Sequence, residues 1–173
     1  MEKILNNKGD GMKLDIGSEG AGSLGHDWSG VDPFLPGAVY PYYMDNLYGI
    51  DDNTVDEIYS CHSLEHISRH KVVPTLIEWH RVLKPGGKVT VIVPEMGFCL
   101  SVMMEACNRQ DFQYWEWRSC FIYGKQDHPG NFHNCGFTSW ILDDYFRRAG
   151  FHIAQRTNII IHDCESLKWE GVK

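Results

Sequence analysis

Apolar and polar positions alternate along this chain in two distinct periods. Lys13-Leu14-Asp15-Ile16-Gly17 reads as a strand running into glycine, and Trp28 to Val31 as a second strand closing on Asp32. Pro33, Pro36, Gly37 and Pro41 make the next stretch loop-like, with a short third strand expected over 39–44. Residues 54–60 form the fourth expected strand. Over 69–83, Val72, Val73, Leu76, Ile77, Val82 and Leu83 recur at helical spacing. Pro74 fits the first turn of that helix, where its missing N–H costs little. Leu83-Lys84-Pro85-Gly86-Gly87 then predicts a sharp turn into a strand over 88–93. Residues 95–120, rich in Met, Trp and Tyr, read as a helical cap. Thr138 to Ala149 predicts an amphipathic helix, with Thr138 as N-cap and Gly150 as stop. Stretches 151–156 and 165–172 suit two final strands. Strands alternating with helices predict an α/β fold with a mainly parallel, right-handed sheet.

Composition narrows the picture. A chain of 173 residues reads as a single domain over 1–173. At this size roughly 70% of the unfolded surface can be buried, so the core needs no disulfide or metal. A net charge of −7 argues against a nucleic-acid backbone or an anionic membrane as an electrostatic partner. Met1 to Met12 does not read as a signal peptide, and no apolar run reaches membrane-spanning length. The six cysteines show no paired spacing, so reduced thiols and a cytoplasmic location are expected.

Two glycine patterns compete for a nucleotide. Gly17 directly follows a strand and, lacking Cβ, lets backbone approach a ligand closely. Gly20-Ala21-Gly22-Ser23-Leu24-Gly25 matches the dinucleotide fingerprint and raises an NAD-dependent oxidoreductase as an alternative. That fingerprint should follow the strand immediately, open a helix and precede an acid by about 20 residues. Here the strand ends too early and Asp32 follows too soon, so the first helix is expected to be shortened or absent.

The glycine loop, the acidic strand end at Asp32, Val55-Asp56-Glu57-Ile58-Tyr59-Ser60-Cys61-His62-Ser63-Leu64-Glu65-His66-Ile67 and Arg81-Val82-Leu83-Lys84-Pro85-Gly86-Gly87-Lys88-Val89 come in this order. Together they resemble the class I S-adenosylmethionine-dependent methyltransferases, specifically the small, single-domain, type 11-like branch. The resemblance implies a Rossmann-like methyltransferase fold with an antiparallel final strand, S-adenosylmethionine as cofactor, and methyl transfer to a small-molecule acceptor. It places the cofactor against Gly17, Ser18 and Glu19, although the usual Gly-Cys-Gly is here Gly17-Ser18-Glu19-Gly20. Asp32 would accept from both ribose hydroxyls and Asp45 from the adenine amino group. Asn46 and Leu47 would flank the base, and His62 and Ser63 would border the transferred methyl. A non-catalytic S-adenosylmethionine-binding or interaction protein is the alternative that the altered loop suggests.

Tyr123 to Asn134, with Gly136-Phe137-Thr138 behind it, is similar to a segment that small family members carry before the last helix. Asp127 would orient His128 or His133, and one of these imidazoles would act as base for an oxygen or nitrogen acceptor; the alternative is a satisfied loop network with His133 bonded to backbone. Tyr123 and Phe132 would face the sulfonium or an apolar substrate, or simply pack in the core. Phe112, Tyr114, Trp115 and Trp117 are candidates for an acceptor pocket, for cap packing or for a homodimer contact. His62, His66 and His70 recur every fourth residue, a spacing that can bind zinc on a helix. No third ligand or carboxylate is clearly supplied, so no metal site is expected, and the family resemblance implies that Glu65-His66 is a structural pair at the strand–helix turn.

Overall fold

The computed structural model describes residues 11–17 and 24–173. Its six strands are β1 (Met12–Ile16), β2 (Trp28–Val31), β3 (Val55–Cys61), β4 (Leu83–Pro94), β5 (His152–Ile161) and β6 (Cys164–Val172). They form one sheet in the order β2-β1-β3-β4-β6-β5. β1 to β4 pair in parallel, whereas β6 runs antiparallel to both β4 and β5. The antiparallel final strand is thus present. The helices are α1 (Val72–Val82), α2 (Met96–Arg109), α3 (Phe112–Tyr123) and α4 (Ser139–Arg148), with a 3₁₀ turn over Leu64–His66.

The expected third strand is reduced to a single bridge from Val31 to Tyr40. Tyr40 N–H donates to Gly30 and its carbonyl accepts from Asp32, but Pro41 has no N–H to continue the ladder. The turn at Pro85-Gly86-Gly87 is a large bulge inside β4: Val55 faces Leu83, and Glu57 already faces Lys88. Gly86, at φ +80°, takes the left-handed backbone that the bulge requires. Most of the stretch expected to hold the shortened first helix, residues 18–23, lies outside the described residues, and Leu24 to Asp27 are turns.

Helix ends follow acidic caps that the apolar pattern did not signal. Glu95 and Asp111 accept from Phe98 N and Tyr114 N at the starts of α2 and α3. Thr138 precedes α4 as expected, but its hydroxyl makes no cap bond.

The sheet core is Leu14, Ile16, Ile58, Val89, Val91 and Val93, covered by Leu76 and Trp79 of α1 and by Leu142 and Phe146 of α4. Across it, the Trp169 indole N–H donates to Asp143 Oδ1 at 2.7 Å, and Arg156 pairs with the same carboxylate. These partners hold the Asp143 carboxyl below the usual carboxylate range, Arg156 most strongly. The stabilisation is therefore present above that range and is lost as pH falls through it. Asp143→Ala leaves a buried indole N–H unpaired and should cost about 1–3 kcal/mol at neutral pH. Urea melts at neutral pH would read this loss, and an unchanged midpoint would refute it.

Candidate functional site

In an open α/β sheet a ligand site forms where neighbouring strands connect to opposite sides. That point lies between β1 and β3, whose carboxyl ends carry Gly17 and Ser63. Gly17 sits at φ +75°, and a Cβ there would fall inside the Ser63 side chain. Ser63 is buried, and its hydroxyl donates to the carbonyls of Ile16 and Cys61 at 3.1 and 3.0 Å. Glycine is thus needed at position 17 twice over, for its backbone and for the neighbour it touches.

A cleft of about 470 Å³ opens over this junction, within the roughly 300–1,000 Å³ typical of ligand sites. Gly17, Asp32, Asp45, His62 and Ser63 line it, and the loop from His128 to Asn131 borders it as well. Asp32 Oδ1 accepts from the N–H groups of Phe34 and Leu35 at 2.6 and 3.0 Å, which fixes the carboxylate at the end of β2. Asp45 Oδ2 pairs with Lys71 at 2.7 Å. His62 takes a left-handed backbone at φ +50°, and its Nε2 lies 3.1 Å from Ser166 Oγ.

The other expected site residues lie differently. Asn46 does not line the cleft; it turns back to Tyr43 through its own N–H. Ser18 and Glu19 lie outside the described residues. Asp127 orients neither imidazole. It is exposed and accepts from Asn131 Nδ2 at 2.6 Å, because the tight turn brings that amide closest. His133 is not a cleft residue but is largely buried behind it, with Nδ1 3.2 Å from the Phe121 carbonyl. His128 does line the cleft, and its Nδ1 accepts from Gly130 N–H at 3.1 Å. A neutral His128 ring therefore carries its proton on Nε2 and is a donor in this arrangement.

Tyr123 and Phe132 are exposed and do not line the cleft, and the same holds for Phe112, Trp115 and Trp117. α3 buries no residue; it pairs with α2. Phe34, Tyr43 and Met44 line the cleft instead, together with His66. Sequence spacing gave no signal for the three apolar side chains, since they sit in the irregular loop after β2.

Behind His66 lies Glu65, 1% exposed, its carbonyl accepting from Asn134 and Cys135 N–H. Burial pushes its carboxyl up to about 8. Burial, with His66 second, pushes His133 down to about 4, and burial also lowers His66.

A family model described as a methyltransferase domain matches residues 39–91. No curated protein matches the chain. Among solved structures, a Burkholderia thailandensis 1,6-didemethyltoxoflavin-N1-methyltransferase, with 1,6-didemethyltoxoflavin and S-adenosylhomocysteine bound, is 16% identical. The match covers 94% of this chain and 70% of that one, with a TM-score of 0.61. A Methanosarcina mazei S-adenosylmethionine-dependent methyltransferase is 17% identical, covering 95% and 92%, with a TM-score of 0.62. A Haloferax volcanii complex between the Trm112 methyltransferase activator and a putative methyltransferase matches at 17% identity, covering 98% and 84%, with a TM-score of 0.61. These likenesses concern the fold. Among the described residues, no helix is long and apolar enough to cross a membrane.

Proposed function

We propose that this chain, a class I S-adenosylmethionine-dependent methyltransferase by its matched domain and its fold, transfers the cofactor's methyl group to a small-molecule acceptor in the cleft over β1 and β3. The observation that carries this reading is the meeting of Gly17 and Ser63 at the switch point, with Asp32 and Asp45 lining the same cleft. The bound cofactor supplies an electrophilic methyl and its own leaving group. What remains for the protein is orientation and exclusion of water, which can supply up to about 7–11 kcal/mol in the best cases.

Asp32 holds the ribose hydroxyls as an acceptor, its carboxylate already aimed by Phe34 and Leu35 N–H. Asp45 receives the adenine amino group while keeping Lys71 as counter-charge. Gly17 leaves room for the methionine part. His62, His66 and His128 border the acceptor side. His128 offers Nε2–H to the acceptor, and takes up a proton only by releasing Gly130.

Calorimetry with S-adenosylhomocysteine tests the binding half. Roughly micromolar affinity, about −8 kcal/mol, is expected for the wild type. Asp32→Ala should weaken it by about 1–3 kcal/mol, because two hydroxyls lose a charged acceptor. Unchanged affinity would remove Asp32 from the site, and binding of NAD in its place would overturn the assignment. Methylated product from an acceptor screen separates an enzyme from a non-catalytic binder.

A further inference from the structure

A second constellation adjoins the cleft, and methyl transfer does not account for it. The Glu65 carboxyl is buried, and neither of its oxygens has a hydrogen-bond partner from another residue among the described residues. Its Oε1 lies 3.9 Å from His133 Nε2 and 4.0 Å from His62 Nδ1. The rings of His66 and His133 meet edge-on, with centroids 4.9 Å apart. One donor atom each from Glu65, His66 and His133 falls within 4.8 Å of the others. We propose that Glu65, His66 and His133 bind one divalent transition-metal ion of the zinc type at the wall of the cleft.

The supporting detail is chemical. An orphaned buried carboxyl is costly to keep, and a cation is the partner that three surrounding imidazoles do not provide. His133 places Nδ1 against the Phe121 carbonyl, which fixes Nδ1–H and turns the Nε2 lone pair toward Glu65. Metal-bound histidines characteristically hold their second ring N–H in this way. His66 has carbonyls at both ring nitrogens, Phe132 at 3.1 Å and His62 at 3.2 Å. A neutral ring can donate to only one of them, so the other nitrogen faces a carbonyl oxygen with its lone pair, and it becomes a ligand once the ring turns away from that carbonyl.

Two imidazoles and one carboxylate form a donor set that zinc favours and that the oxygen-seeking calcium and magnesium do not. Ligand atoms around tetrahedral zinc stand about 3.3 Å apart, so donor spacings of up to 4.8 Å need to close by up to about 1.5 Å as the side chains turn onto the ion. His66 also lines the cleft, which puts the proposed site at the cleft wall. The i, i+4, i+8 histidine series does not form this site. The turn ends at His66, and His70 goes to a separate hollow with Val73, Tyr145 and Arg148. His133, from a distant part of the chain, takes the place that the series left empty.

The test uses the full chain, stripped with chelator and titrated with Zn²⁺ in a calorimeter and with Co²⁺ in a visible spectrometer. The expected result is one ion per chain, intense tetrahedral Co²⁺ absorption and a raised melting temperature. Glu65→Gln, which keeps the shape, and His133→Gln should each weaken binding more than tenfold, while His70→Ala should bind as wild type. If His133→Gln does not fold, Glu65→Gln decides. Failure of the stripped wild type to bind stoichiometrically overturns the proposal. So does binding that survives Glu65→Gln, or that is lost in His70→Ala. S-adenosylhomocysteine affinity, measured on the same samples, reports separately on the cofactor cleft.

Discussion

Trp79→Ala is expected to lower the unfolding free energy by about 3–5 kcal/mol, as deletion of a large, fully enclosed aromatic does. Trp79 is 0% exposed and sits where α1 meets the sheet. Its indole N–H also donates to the Met44 carbonyl at 2.8 Å. The loss therefore has two parts, a cavity and an unpaired carbonyl. Trp79→Phe should fill most of the cavity but still leave the carbonyl unpaired, at about 1–3 kcal/mol. The consequence reaches the site, because Met44 and Asp45 line the cleft. In Trp79→Phe the loop carrying them loses one of its ties to α1, the others running from Glu78 and Arg81 to Leu47, and S-adenosylhomocysteine affinity should fall along with stability. Denaturant melts paired with calorimetry check both. A loss below about 1 kcal/mol for the alanine variant would mean that Trp79 does not clamp this loop, as would unchanged affinity in the phenylalanine variant.

What the sequence made legible was what local chemistry decides. The second strand, Trp28 to Val31, was readable residue for residue, because Trp28 and Val31 frame a short stretch that Asp32-Pro33 closes. The stretch 39–44 has the same apolar character, but prolines deny it the ladder, and one bridge survives. In the site, Gly17, Asp32, Asp45, His62 and Ser63 all follow strand ends or the loop beside them, and they converge on one cleft. His128 joins them. Asp127 and His133 were placed by proximity in sequence, and the fold separates them: a tight turn hands Asp127 to Asn131, while docking on the Leu64–His66 turn buries His133. The burial of Glu65 was illegible for the same reason. It depends on Asn134 and Cys135 coming from far along the chain to bond its carbonyl.

Gly17→Ala should be among the most damaging small changes in the molecule, at about 2–5 kcal/mol of stability. Two costs combine. A residue with a Cβ held at φ +75° bears left-handed strain of about 1–2 kcal/mol. The added methyl also collides with Ser63, and overpacking of this kind costs about 1–3 kcal/mol. The two are separable by a double-mutant cycle. Ser63→Ala removes only the hydroxyl, and the remaining Cβ, 2.5 Å from the new methyl, still clashes. Ser63→Gly removes the collision altogether, at its own cost of the hydroxyl's bonds to Ile16 and Cys61. In the Gly17→Ala background, Ser63→Gly should therefore recover about 1–3 kcal/mol relative to additivity, leaving the backbone strain behind. Denaturant melts of the four proteins measure that coupling, and strict additivity within about 0.5 kcal/mol would show that the two side chains do not meet. Cofactor binding adds a second readout. If the β1–β3 junction forms the floor of the cleft, Gly17→Ala should weaken S-adenosylhomocysteine binding by tenfold or more. Ser63→Gly should restore part of that affinity, since relieving the collision lets β1 return to its place.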